Sequence, residues 1–190
     1  MDRAWATVQD TVIAAPYPSQ AGLPIALLEG RWAEARRLAE AAVARATIGH
    51  AQVASAALGV LARWQGDPEA AWARVRERHP AGPDTAPGDC HFLPGRALQA
   101  LAAELALDAG DLATADRWIA AHGRWLDWSG TVLWQAEHAL LRARLAAATG
   151  DLTTARTQGE AALARLPGRP AHARRAEPRR WAVRRGRDPP

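Results

Sequence analysis

Twice in this chain, 40 residues apart, the same six-residue punctuation interrupts an apolar helical pattern: Gly110-Asp111-Leu112-Ala113-Thr114-Ala115 and Gly150-Asp151-Leu152-Thr153-Thr154-Ala155. Glycine takes up the left-handed backbone that ends a helix, and aspartate accepts hydrogen bonds from the free N–H groups that open the next one. Each copy therefore predicts a helical hairpin. The signal recurs upstream at Gly66-Asp67-Pro68-Glu69-Ala70-Ala71, with proline at the favoured first helical position, and in weaker form at Gly30-Arg31-Trp32-Ala33-Glu34-Ala35. In all four, alanine follows glycine by five residues, and the glycines stand 36, 44 and 40 residues apart. A repeat of that length marks stacked helix pairs. The expected fold is all-α, antiparallel helical hairpins stacked as an α-solenoid.

Composition agrees with helix. Alanine fills 47 of 190 positions, while Phe, Tyr, Met and Cys occur once each, so strand formers are scarce. All 24 basic residues are arginine, which together with abundant Ala, Gly and Pro points to a GC-rich coding sequence. Their distribution is uneven. Residues 1–165 hold 16 Arg against 18 acids, and residues 166–190 hold 8 Arg against 2, so the basicity belongs to the tail. A lone cysteine, Cys90, rules out an internal disulfide and fits a reducing compartment. No basic leader precedes an apolar run, and no stretch reaches the roughly 18 apolar residues of a membrane span. The chain reads as cytoplasmic.

Taken in order, apolar residues at helical spacing predict a helix from Asp2 to Ala15, then Gln20 to Glu29 and Trp32 to Ala46. Gly49-His50 is read as a break before Gln52 to Gln65, which Asp67 to Arg78 follows; residues 1–78 thus form the first repeat pairs. From 79 to 95 the chain carries Pro80, Gly82, Pro83, Pro87, Gly88, Pro94 and Gly95, a loop serving as hinge or ordered crossover. Two clearer hairpins fill 96–166: Ala97 to Ala109 with Asp111 to Trp128, and Thr131 to Thr149 with Asp151 to Leu166. In the last two helices the expected inward stripes are Leu133, Ala136, Leu140, Ala143 and Ala147, then Leu152, Ala155, Ala162 and Leu166. Residues 167–190, rich in Arg and Pro, are expected to be disordered, with a composition that a GC-rich gene read out of frame would produce.

The chemistry is mostly told by exclusion. Without lysine there is no P-loop and no Schiff base, and the G-x-G-x-x-G, H-E-x-x-H and G-x-S-x-G patterns are missing. Ser129, in Trp-Ser-Gly, reads as a turn, and Asp89-Cys90-His91 lacks the second ligand pair of a metal site. No catalytic residue, metal or cofactor is expected. The candidate binding residues are Trp118, Trp125, Trp128, Trp134, His138 and Arg142. On one predicted helix Trp134, His138 and Arg142 stand four residues apart and share a face, offering aromatic and cationic surface to an acidic or aromatic ligand. The competing reading, which outweighs it, has these tryptophans filling gaps left by small alanines. The tail lacks a recognition helix, so specific nucleic-acid binding is not expected.

Several segments resemble a known family. Ala71-Trp72-Ala73-Arg74-Val75-Arg76-Glu77 with the following Pro80 to Gly88, Leu105 to Asp116, Arg124-Trp125-Leu126-Asp127-Trp128-Ser129-Gly130 and Leu141 to Ala155 resemble the tetratricopeptide-like region of LuxR-type, MalT-like ATP-dependent transcriptional regulators. The resemblance covers Trp32 to Leu166. In that family an ATPase precedes the repeats and a helix-turn-helix follows them. This chain contains neither, so the resemblance implies only the middle part: a truncated piece that binds a protein partner, neighbouring regulator domains or a small-molecule inducer. The alternative is a free-standing tetratricopeptide-like adaptor unrelated to transcription. Terminal repeats without polar caps also open the way to self-association.

Overall fold

The computed structural model describes residues 17–44 and 48–166, and these are all-α. Eight α-helices follow in order: α1 (Tyr17–Leu28), α2 (Trp32–Ala44), α3 (Ile48–Trp64), α4 (Pro68–Arg78), α5 (Phe92–Asp108), α6 (Leu112–Ser129), α7 (Gln135–Ala148) and α8 (Leu152–Ala164). The helix expected over Asp2 to Ala15 and the disordered tail expected over 167–190 lie outside the described residues. Among the described residues no helix is long and apolar enough to cross a membrane.

The four punctuation points close by one hydrogen-bond scheme. At Gly110 the backbone turns left-handed (φ 72°), its N–H donates to the Leu107 carbonyl, and the Asp111 N–H donates to the Ala106 carbonyl at 2.9 Å. Gly30, Gly66 and Gly150 repeat both bonds, the double closure that satisfies the last carbonyls of a helix. The next helix then opens on an aspartate: Asp67, Asp111 and Asp151 each accept from the N–H three residues on, at 2.9–3.0 Å. Arg31 stands where the first repeat lacks its aspartate, and its guanidinium pairs with Glu29 and Glu34 instead. The alanines that follow, Ala35, Ala71 and Ala115, are completely buried where paired helices touch.

Two apolar clusters share α3 as a common wall. One joins α1, α2 and α3 through Leu23, Ala26, Ala39, Leu58 and Leu61. The other runs from α3 to α7 through Val75, Leu98, Leu101, Leu105, Trp118, Ile119 and Leu141. At its centre is α5, with 11 of its 17 residues buried, packed against α3, α4, α6 and α7. A helix apolar all round belongs in the interior. On one side, Arg63 of α3 and Arg144 of α7 both pair with Glu104 and Asp108 of α5. Burial pushes the Glu104 carboxyl up despite both arginines, whereas the hydrogen bond from Arg63 holds Asp108 below its ordinary value.

Several boundaries differ from the sequence reading. Gly49-His50 lies in the first turn of α3, which begins at Ile48 rather than at Gln52; one glycine costs a helix only about 1 kcal/mol relative to alanine. The segment 79–95 is an ordered crossover, and its last four residues already belong to α5. Pro94 is tolerated there because the first N–H groups of a helix have no partner to lose. Thr131 to Trp134 is not helical as expected: α7 begins at Gln135, preceded by Trp134 in the left-handed region (φ 62°). With that later start the inward face becomes Ala139, Leu141, Ala143 and Ala146, leaving Leu133 and Leu140 exposed. On α8 only Ala162 is buried; Leu152 and Leu166 face outward because no further hairpin covers them among the described residues.

The crossover is fastened at one tight point. A Cβ on Gly95 would lie 2.7 Å from Trp125 Cζ3 and 2.8 Å from Cys90 Sγ, while Gly159, within α8, has no heavy atom within 4 Å of such a Cβ. We expect Gly95→Ala to destabilise the protein by about 1–3 kcal/mol through overpacking. Gly159→Ala should stabilise it by about 0.5–1 kcal/mol through helix propensity. Urea unfolding of both variants checks the pair, and equal midpoints would contradict this packing.

Candidate ligand groove and the histidine relay beneath it

Of the six residues singled out in the sequence, the structure separates two from the rest. Trp118 and Trp125 lie two turns apart on the inner face of α6, and Trp125 is 1% exposed. Together they form the wall on which the crossover rests. The buried His79 ring meets Trp118 and Trp125 edge-on at 5.5 and 5.7 Å, and its Nε2 lies 2.9 Å from the Gly95 carbonyl, to which it donates. Trp125 Nε1 donates to the Thr85 carbonyl, and Arg124 donates to the Pro83 carbonyl. These two tryptophans therefore hold the fold and offer no surface to a ligand.

Trp128 and Trp134 sit at the far end of α6 around Phe92, whose ring centroid is 6.4 and 6.1 Å from theirs. Trp128 is exposed, with Val132 and Leu133 beside it in the sequence and also exposed. Trp134 is covered on one face by the Arg96 guanidinium, 4.2 Å from the ring centroid. Because Trp134 precedes α7 with a left-handed backbone, it does not share the helical face of His138 and Arg142. The expected aromatic and cationic stripe is thus divided.

His138 and Arg142 instead line an open groove of about 690 Å³ between α6 and α7, closed at one end by Thr149 and Thr154. Its α6 wall runs from Leu112 through Asp116, Ala120 and Gly123 to Asp127. At 1.5 Å per residue that wall is about 22 Å long. Ile119 and Leu145 supply apolar surface, and Asp116, Arg124, Asp127 and Arg142 supply charge.

Beneath the groove lies a polar chain that sequence reasoning did not assemble. Arg96, buried on α5, pairs with Glu137, and its Nη1 lies 3.4 Å from His122 Nε2. His122 is fully buried, and its Nδ1 stands 3.3 Å from His138 Nδ1. The ring centroids are 5.4 Å apart, so the imidazoles meet through their edges rather than their faces. One of the two Nδ1 atoms must carry the proton between them. The same His122 Nε2 stands 3.6 Å from Glu137 Oε2, so it faces both a donor and an acceptor, and either histidine can carry the shared Nδ1 proton. The Nε2 edge of His138 lies over Gly123, where a Cβ would come within 3.2 Å of that nitrogen. The signal in the sequence was slight: Arg96 is a single charge at the head of a long apolar run.

The environment sets the charges. Burial, reinforced by His122 and Arg142, lowers His138 to about 4, with Asp127 opposing. Burial also lowers Arg96 and His79. Glu137 is pushed up by burial, but the neighbouring His122 and Arg96 outweigh that and hold it below its ordinary value. Cys90 is pushed up by burial, which makes it a poor thiolate. Among the described residues no three His, Cys, Asp or Glu side chains stand together as a metal site.

Comparison with family models, with curated proteins and with solved structures finds no match to this chain.

Both histidines with lowered values bind more protons when unfolded, so their contribution to stability is present above pH 6.5 and is lost as pH falls toward 4. The urea midpoint should therefore drop between pH 6.5 and 4.5, before the depressed carboxylates titrate. His138→Leu should flatten that slope, and an unchanged slope would contradict the neutral, half-buried imidazole.

Proposed function

We propose that this chain is a non-catalytic recognition module whose four hairpins stack as a tetratricopeptide-like α-solenoid, working in the cytoplasm as the sensor part of a LuxR-type, MalT-like transcriptional regulator. The observation that carries the recognition reading is the α6/α7 groove. It is concave, of the volume that small ligands fill, and lined by an apolar floor with a few charged groups. The stacked arrangement is supported by the packing order: α3 lies against α5 and α5 against α7, while α4 and α6 pack against the helices that follow them. The regulator reading is supported by the resemblance carried by Trp72 to Gly88 and Arg124 to Gly130.

In this reading the groove receives a small-molecule inducer. The neighbouring regulator domains or a protein partner meet the apolar turn, where Trp128, Val132 and Leu133 are exposed. That same turn favours the second reading, a free-standing adaptor, since contiguous exposed apolar side chains mark protein contacts. Leu152 and Leu163, exposed on α8, and Leu166 just after it give self-association a surface.

Sequencing the genomic DNA on both sides and translating every frame tests the regulator reading. A nucleotide-binding domain upstream and a helix-turn-helix downstream are expected. Unrelated genes on both sides would overturn it in favour of the adaptor.

A further inference from the structure

The groove has a chemical bias that its outline alone does not reveal. Of its two arginines, Arg142 makes no hydrogen bond or ion pair among the described residues, and Arg124 makes one, to the neutral Pro83 carbonyl. A guanidinium carries five N–H donors, so most of this donor capacity is unfilled among the described residues. Between them stands His138. Its Nδ1 faces His122 below, and its Nε2 edge lies at the Gly123 gap. All three side chains line the one groove. Ile119, Ala120 and Leu145 provide apolar surface next to them.

The acids lie to either side. Asp116 stands four residues before Ala120 on α6, and Asp127 four residues after Gly123. Neither side chain has a hydrogen-bond or ion-pair partner among the described residues. Two flanking carboxylates disfavour a multiply charged anion such as a phosphate, and they leave room for a single negative charge at the centre.

We propose that the groove between α6 and α7 binds a ligand with one carboxylate on an apolar body, the carboxylate held by Arg142 and His138 and the body lying on Ile119, Ala120 and Leu145. Arg124 adds a further cation to the groove's lining. His122 is a positioning residue: its contact with His138 Nδ1 turns the Nε2 edge of His138 toward the Gly123 gap. Two sources share this chemistry, simple aryl or alkyl carboxylates and apolar α-amino acids, and Asp127 tells them apart. An α-ammonium beside the carboxylate would pair with Asp127, whereas a simple carboxylate would be repelled by it. The inference rests on the groove being the recognition site proposed above.

Titration calorimetry of the full chain at pH 7 with four probes of one shape tests it: phenylacetate, methyl phenylacetate, phenethylamine and L-phenylalanine. At least one of the two carboxylates should bind at least tenfold more tightly than both the ester and the amine. Arg142→Gln, a change at an exposed side chain, should weaken that carboxylate about tenfold and leave the urea midpoint unchanged. His138→Leu should weaken it further. Asp127→Asn separates the sources: phenylacetate should bind more tightly to this variant, and L-phenylalanine less tightly if its ammonium is recognised. Equal affinity for acid and ester, preference for the amine, or no carboxylate binding at millimolar concentration by the folded protein would each overturn the proposal. None of those results touches the flanking-gene test, so the sensor reading and the ligand assignment fail separately.

Discussion

The close approach of Gly95 to Trp125 is the contact on which the arrangement of the second half depends. Only a residue without a side chain lets the first turn of α5 reach the indole, and that approach brings the Gly95 carbonyl to His79 Nε2. The crossover from α4 to α5 carries four prolines in its 79–95 span and has little regular hydrogen bonding of its own, apart from a 3-10 turn over Gly82–Asp84. Its backbone polar groups are satisfied instead by side chains of α6, from Trp125 and Arg124. Buried carbonyls need such partners, and the indole N–H is well suited to give one from inside an apolar wall. The first and second pairs of hairpins are thereby held to one core rather than joined by a tether.

That core fixes where the groove can be. Between α6 and α7 the chain makes a longer turn, 130–134, and Trp134 adopts a left-handed backbone that a bulky residue takes only when its surroundings compensate. The compensation is visible in the Arg96 guanidinium over its ring and in the Phe92 edge beside it. Below the recess α5, α6 and α7 are bridged by the Arg96, Glu137 and His122 chain, beside the packed Ile119 and Leu141. A buried guanidinium left without its carboxylate is costly, on the order of 3–5 kcal/mol, so this chain is as much a structural commitment as any part of the core.

Legibility in the sequence follows how local each cause is. The four glycine turns could be read because both halves of the signal, a residue tolerant of positive φ and a carboxylate three positions before an N–H, lie within six residues. The start of α5 at Phe92 was hidden by Pro94 and Gly95. Both usually break helices, yet here one sits in the first turn and the other makes room for Trp125. The start of α7 was missed for the opposite reason: Thr131 to Trp134 continues the apolar spacing of a helix, and nothing local announces the turn. The candidate site was legible by composition alone. Tryptophans 118, 125, 128 and 134 cluster in sequence, but α6 turns two of them inward and the α7 start removes a third from the face of His138 and Arg142.

By itself the sequence determined that this protein is helical, that its helices come in pairs, and where most pairs turn, because those outcomes rest on periodicity and capping within a few residues. Tertiary structure alone decided which tryptophans are core and that segment 79–95 is an ordered crossover. It also decided that Arg96, His122 and His138, spread over 43 positions of sequence, form one hydrogen-bonded chain beneath a groove. The physical reason is the same in each case. Burial and side-chain pairing are properties of the neighbour across the helix interface, and no spacing along one helix records who that neighbour is.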